Sequence, residues 1–434
     1  MQKLTYSKTV PVVGEYDVVV CGGGPAGIVA AISAARMGCR TALVERLGFF
    51  GGTATAGLVM PISGFYHNDA RVIGSIPWEF VSRMQALGGA MVELPNGHIS
   101  ANIELYKLVA QQMLLEADVA LYTNCYLSHC HLAGDGIAAI IMESKNGAEA
   151  LAGRCFIDAT GDGDLCRLSG APMVQQEQLQ PMSLCFVLEG VDVTTPLLKD
   201  CIHHNGLGGK PSVNSEIRSY LLACVERGKL RQFGGPWFNT LVQGNGIAVN
   251  VTRVGGNGAN RAELTNAELQ LREDMFAIVA LLREKYAEFR NCSIVNSGVN
   301  AGIRETCQIQ GVYTLTGADL LEGRTFSCPV ARCAHPMDIH NAASARQTLV
   351  RLEKAAYVPH TALIPQKVTN LIAAGRCISA DRAAFASLRV QGTLMSIGES
   401  AGILAALACR EKCSVADVPE EILLQKLQDR QLVL

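Results

Sequence analysis

"VVVCGGGPAGIVAA", residues 18–31, places three consecutive glycines between a valine run and an alanine-rich run. The residues ahead of them, Asp17 to Cys21, include those three valines and suit a parallel strand buried on both faces. Gly22, Gly24 and Gly27 then fall in the GxGxxG spacing. The first glycine makes the turn, the second lets backbone approach a pyrophosphate, and the third lets helix and strand pack closely. Pro25 to Met37 predicts a slim Ala- and Ile-rich helix, stopped by Gly38. "RTALVE" follows as a second strand, ending at Glu45, where a carboxylate can take the ribose hydroxyls of an adenosine. Strand, glycine turn, helix and acid together point to an adenine dinucleotide. Its phosphates would lie on the helix N-terminus, favoured by free N–H groups and the helix dipole.

The 434 residues exceed one ordinary core, so two domains are expected. Hydrophobic residues make up 49% and charged residues 18%, a globular and well-buried composition. Lys and Arg number 37 against 39 acids, which provides no field for nucleic acid or an anionic membrane. The 16 cysteines are scattered without a CxxC pair and suit a reducing compartment better than a disulfide framework. The first residues contain no apolar signal core, and no apolar run approaches the roughly 18 residues of a membrane span. The expectation is a cytoplasmic protein.

The glycine fingerprint alone does not separate FAD from NAD. "RLGFFGGTATAGLV" (46–59) supplies a further glycine pair, Gly51 and Gly52, where a longer cofactor needs another close backbone approach. "FIDATGDGDL" (156–165) reads as a strand and a glycine-rich turn. Its Asp158, Asp162 and Asp164 lack the calcium-loop spacing, so no metal site is expected. Leu371–Ala374 reads as a buried strand ending at Gly375. Beyond it Gly392 opens a long Ala-rich helix, whose N-terminus can face a flavin's pyrimidine edge and favour the anionic reduced ring.

With these segments on view, the chain resembles the FAD-dependent oxidoreductase family of glutathione-reductase-type two-domain flavoproteins. Within it, the chain is similar to the branch containing heterodisulfide reductase A-type flavin domains. The resemblance covers nearly the whole chain. It rests on "GGGPAG" with Glu45, "GGTATAGLV", "DATGDGDL", "NVTR" (250–253), "GIRETCQIQGVYTLT" (302–316), "HPMDIH" (335–340) and "NLIAAGRCIS…SLRVQGT" (370–393). It implies FAD held by Gly22, Gly24, Pro25, Ala26, Gly27, Glu45, Arg46, Gly51, Gly52, Thr53, Gly161, Asp162, Gly375, Arg376, Arg389, Val390, Gln391, Gly392 and Thr393. The chain departs from the family at His360 and Thr361 and at Asp381 and Arg382, positions that would mark its own substrate.

The implied fold is α/β: a Rossmann-like FAD-binding domain, with a parallel sheet plus β-meander, carrying an inserted α+β substrate domain. The FAD domain would comprise residues 1–171, with a small cap segment near 60–100, and residues 351–434; the substrate domain would comprise residues 172–350. Residues 101–117 have helical periodicity. A second long helix over 264–289 is expected to be capped by Thr265 with Glu268. "GGNGAN" (255–260) shows no helix behind it and makes a poor second dinucleotide site.

Cys125 and Cys130 have the CxxxxC spacing of a redox pair but fall in a strand, where an odd separation turns them to opposite faces. Cys201, His203 and His204 lack a second ligand pair for zinc. His335, His340 and His360 cluster ahead of the C-terminal flavin segment and are candidates to move a proton. Arg304 and Arg253 are candidates to fork a substrate carboxylate or carbonyl; the competing reading pairs Arg304 with Glu305. The expected reaction passes hydride between flavin N5 and a small polar, carboxylate- or carbonyl-bearing substrate, with a separate electron donor or acceptor. The alternatives are a flavin-carrying electron-transfer subunit serving a redox partner, and a flavin-dependent monooxygenase. A stable homo-oligomer without a redox partner would favour the enzyme.

Overall fold

Val18, Val19 and Val20 are completely buried, because strand Val12–Cys21 has a parallel neighbour along each edge and helices over its faces. Those neighbours are Thr41–Val44 and Gly147–Asp158. The computed structural model describes residues 4–94, 97–199, 202–203 and 213–432. The sheet runs Ala120–Tyr122, Thr41–Val44, Val12–Cys21, Gly147–Asp158, Gly136–Ser144, Tyr126–Ala133, and Leu371–Ala373 adds in parallel to the end of Gly147–Asp158. The antiparallel pairs joining 126–158 are the expected meander.

Two helices cover this sheet together. Pro25–Arg36 packs along Gln391–Glu411, and the contact admits no side chain at two points. A Cβ on Gly398 would lie 2.2 Å from Ala26 O, and one on Gly402 would lie 2.4 Å from Ala30 O. Gln391–Glu411 is long and apolar enough to cross a membrane by length and composition, yet it is buried inside the protein from Gln391 to Cys409. The sequence conceals this because Glu399 interrupts the run. Its carboxylate is occupied, accepting from Ser75 Oγ at 2.5 Å and from the Ile76 N–H at 3.2 Å, where helix Ser75–Ala86 begins.

The apolar side chains form two main cores. The first draws on residues between Val18 and Ala171 and between Ile309 and Leu432. The second lies between Met182 and Ile303, joined by Ala345. The second core is built on a sheet ordered Ile202–His203, Phe233–Thr240, Ile247–Thr252, Phe186–Glu189, Ser293–Ser297, backed by helices Ser215–Glu226 and Arg261–Lys285. Residues such as Leu315, Val330 and Met337, assigned by sequence to the 172–350 unit, pack into the first core. A small cluster of Leu58, Met60, Ile103, Cys185, Val187 and Ala248 joins the two.

Three local expectations change. The long helix starts at Arg261, not beside Thr265: Asn260 Oδ1 accepts from the Ala262 and Glu263 N–H groups, whereas Thr265 Oγ1 bonds back to Arg261 O inside the helix. "GGNGAN" therefore does have a helix behind it, but Asn260 and Glu263 occupy that helix start themselves. Cys125 lies just ahead of strand Tyr126–Ala133, where Cys130 sits, and both thiols are free. Cys201 and His204 lie outside the described residues.

Candidate active site

The glycine loop is shaped by what it lacks. A Cβ on Gly27 would sit 1.8 Å from Gly22 O, so loop and helix touch backbone to backbone. A Cβ on Gly24 would meet nothing nearer than Gly52 Cα at 3.9 Å, which leaves room above the start of helix Pro25–Arg36. That helix has Pro25 in its first turn and no side chain capping it at Gly24. Uncapped N–H groups beneath open space are the chemistry a pyrophosphate needs. The Gly51 N–H donates to Gly23 O at 2.8 Å and so brings Gly51, Gly52 and Thr53 against the same loop.

Glu45 is buried below it. Oε2 accepts from the Gly23 N–H at 2.6 Å and Oε1 from the Leu47 N–H at 2.9 Å. Each carboxylate oxygen keeps further acceptor capacity for a ribose hydroxyl. Burial raises the Glu45 pKa, opposed by these N–H groups and by Arg46, whose own side chain is exposed.

The aspartates of the second glycine turn have separate tasks. Asp158 is fully buried and holds the turn, accepting from the Thr160 N–H and hydroxyl and from the Cys166 N–H. Asp162 pairs with Arg376 at 3.0 Å and accepts from Thr306 Oγ1, tying the turn after Gly161 to Gly375–Arg376 and to the segment carrying Arg304. Asp164 pairs with Arg167. At the start of helix Gln391–Glu411, Val390 gives no side-chain cap, and the Gly392 N–H donates to Ser63 O. Gln391 Nε2 donates to Val59 O and Pro61 O, while its Oε1 and Thr393 Oγ1 are buried without a protein partner. Gly302 lies against Thr53, so Arg304 approaches the same region from the second core.

Between the cores lies a layer rich in arginine. Arg253 is 3% exposed. Its Nη1 donates to the carbonyls of Asn341, Ser344 and Arg346, and its Nη2 to His340 Nδ1 at 2.9 Å. His340 Nε2 must then carry the ring proton, which it donates to Asp338 Oδ2 at 2.9 Å. Asp338 also accepts from Arg389 Nη2 at 3.2 Å and from Gln347 Nε2 at 2.6 Å. Burial resists the Asp338 charge, but His340 and Arg389 hold its pKa below the usual range. Burial and then Arg304 push His340 down to about 3, so it is neutral near pH 7. Sequence reasoning missed Asp338: His340 lies two residues on and Gln347 nine, but nothing local marks the remote Arg389 that completes the set.

The candidates thus separate. Arg253 commits both Nη groups to the 341–346 loop and His340, which leaves only Nε without a protein partner and no pair of parallel donors for the substrate fork expected of it. His340 has both ring nitrogens engaged and does not suit proton transfer. His360 faces Glu420, its Nε2 3.7 Å from Oε1, and takes no part in the layer. His335 Nδ1–H donates to Pro336 O at 2.8 Å, leaving the Nε2 lone pair as a base. Burial lowers its pKa, opposed by Asp338. Arg304 donates from Nη1 to Pro181 O at 2.8 Å and to Ser183 Oγ at 2.7 Å. The competing pairing with Glu305 does not form: Glu305 accepts from the Gln180 N–H instead, as successive residues of an extended segment point to opposite sides. Asp381 caps helix Arg382–Leu388 and holds the Gly317 N–H, which is a structural task.

The glycine loop, buried acid and uncapped helix starts define a dinucleotide-binding flavoprotein. The chain belongs to the FAD dependent oxidoreductase family, which it matches over residues 17–431, and FAD is its cofactor. It is 45% identical over 62 residues to a dihydrolipoyl dehydrogenase of Trypanosoma brucei brucei, covering 14% of this chain and 13% of that protein. It is 46% identical over 55 residues to a leghemoglobin reductase of Glycine max, covering 13% and 10%. The match therefore spans a small fraction of these relatives' length. A geranylgeranyl bacteriochlorophyll reductase-like protein from Thermoplasma acidophilum is similar over 97% of this chain and 84% of its own, at 13% identity and a TM-score of 0.49.

Proposed function

We propose that the protein oxidises or reduces a small substrate bearing a carboxylate or polarised carbonyl, bound between the two cores at Arg304. Hydride would pass between flavin N5 and a substrate carbon, with a separate electron donor or acceptor completing the cycle. The carrying observation is the uneven commitment of the arginines. Arg304 uses only Nη1 for protein partners and keeps the rest of its guanidinium for an anionic or carbonyl oxygen. Burial, with Arg389 and Arg253 nearby, lowers its pKa to about 10, so it remains charged at neutral pH. A buried donor at Arg389 Nε without a protein partner adds to the demand for an acceptor.

Bound FAD supplies the two-electron chemistry. The chain's residues hold the substrate at Arg304 and Ser183, and His335 Nε2 accepts the proton that leaves the substrate oxygen. A histidine kept neutral by burial suits that step. In this reading the second core, from which Arg304 approaches, acts as the substrate-binding unit. The test is an anaerobic screen of small carboxylates and carbonyl compounds, scored by bleaching of the bound flavin. Bleaching by such compounds, lost on Arg304→Ala in a protein that keeps its FAD, is the expected result. Bleaching that survives this substitution unchanged would overturn the reading.

A further inference from the structure

Met182, Leu184, Phe186 and Leu188 turn into the second core, so the residues between them face the seam where the two cores meet. Ser183 takes a hydrogen bond from Arg304 Nη1 at 2.7 Å, and Cys185 and Val187 belong to the small apolar cluster at that seam. Val187 also walls a cavity of ≈ 230 Å³, together with Leu58, Met60, Leu241 and Val295. The loop after Leu241 is tied across the seam, where Gln243 Nε2 donates to Gly88 O at 3.1 Å. Leu58 holds a left-handed backbone, φ 53°, which a branched side chain adopts only under local constraint. Beside it, Val59 reaches the segment carrying Arg304: a Cβ on Gly302 would lie 3.9 Å from Val59 Cγ2. The cavity and Arg304 therefore share two walls, the 183–187 segment and the 58–60 segment. From Ser183 to Val187 the first wall spans about 13 Å.

We propose that the substrate is a monocarboxylate with an unbranched apolar tail, its carboxylate at Arg304 and its tail running past Cys185 and Val187 into this cavity. The inference rests on the reading of Arg304 given above and adds the rest of the molecule to it. Arg304 commits Nη1 alone to the protein, so its other donors are left for a carboxylate to take in parallel. Beyond Ser183 the same face presents only Cys185 and Val187, which suit methylene groups. Met60 joins them from the opposite wall; unbranched and with several rotatable bonds, it can turn aside to admit a chain. The far end of the cavity sets the chemistry of the tail. Glu104 and Glu189 line it and are both exposed, so they stand at its mouth, and Lys107 offsets only Glu104, at 2.7 Å. A second carboxylate on the substrate would meet acid there, whereas a hydrocarbon end would not. This favours an amphipathic acid over a dicarboxylate.

Calorimetric titration of the FAD-loaded protein with propanoate, butanoate, hexanoate and octanoate tests this without requiring turnover. The dissociation constant should fall with each added methylene, by up to about fourfold per step. Adipate, as long as hexanoate but ending in a second carboxylate, should bind no more tightly than propanoate. Val295→Asp, on a cavity wall that is 49% exposed and so tolerant of substitution, should flatten the length series. Val187→Asp should flatten it from the buried side. Binding that is lost in Arg304→Ala but equally tight for all four acids would overturn the apolar tail and leave the proposed function standing. Tightening with length that persists in both Arg304→Ala and Val295→Asp would put the chain elsewhere on the protein and overturn it as well. If none of the four acids binds, the tail and the carboxylate at Arg304 fall together. The wild-type series and the exposed Val295 variant decide the matter even where the Val187 variant does not fold.

Discussion

The glycine loop at 22–27 and the arginine layer between the cores both bind charge, by opposite means. The loop offers bare backbone, and its tightest contact, Gly27 against Gly22 O, is backbone on backbone. The layer offers guanidinium groups, and what distinguishes them is how many hydrogen bonds the protein has already taken. Arg253 is spent on three carbonyls and a histidine, whereas Arg304 is half spent. Damage to the loop should be all-or-none, and damage to the layer graded. On this reading, an arginine with both Nη groups taken by the protein should carry stability, and one with Nη2 uncommitted should carry function.

The largest effect belongs to the loop. Gly27→Ala places a Cβ where only 1.8 Å separates it from Gly22 O, so the variant should purify without flavin and with a sharply lowered Tm. A yellow protein with unchanged melting would break the comparison at its root. Next is Asp338→Ala, which strips the acceptor from His340, Arg389 and Gln347 at once. Breaking a buried charge network of this kind costs about 3–5 kcal/mol, readable as a lower urea midpoint. Arg253→Ala should also lose stability ahead of rate.

Arg304→Ala is the counterpart. It should leave the flavin spectrum and Tm near wild type and slow substrate-driven flavin reduction roughly a hundredfold, about 2.7 kcal/mol. Equal losses of stability in the Arg304 and Arg253 variants would erase the distinction drawn between them.

The smallest effect is pH-dependent. His340 is neutral in the fold with its pKa near 3, whereas an unfolded histidine titrates near 6.5. Below pH 6.5 the unfolded chain binds a proton that the folded chain refuses, so this group's stabilisation is full above that pH and is lost as pH falls. The loss amounts to at most about 2 kcal/mol between pH 6.5 and 5. Asp338, depressed by the same contacts, adds its own loss below about pH 4. Denaturant titrations at the two pH values should show a smaller difference in His340→Gln than in wild type; equal differences would remove His340 as the source.

The same contrast explains what could be read from the chain. The strand, glycine turn, helix and Glu45 are legible because each constrains its near neighbours in sequence, and the chain's own spacing records that. The layer is not, because the pairs that assemble it are remote even though Asp338 and His340 are near neighbours: Arg253 meets His340 across 87 residues and Arg389 meets Asp338 across 51. Adjacency misled in the other direction, pairing Arg304 with Glu305 although neighbouring residues of an extended segment diverge. At the long helix, Thr265 and Glu268 match a capping pattern, but Asn260 lies upstream and takes the N–H groups first. Residue types at Arg304 and His335 could be chosen from sequence; which arginine and which histidine stayed available could not.

The backbone contact of Gly398 and Gly402 with helix Pro25–Arg36 has a consequence for how the protein is made. The helix bearing the phosphate-binding turn leaves the ribosome early, and its mate emerges only after the whole second core. Until then, that helix has an alanine-lined surface with no mate, while residues 182–303 already hold everything their own core needs apart from Ala345. Folding order should therefore reverse synthesis order: the inserted unit closes first and the flavin fold last. Nascent chains arrested before residue 391 should resist protease across 182–303 and yield to it across 12–44; protection of both at that length would exclude this order.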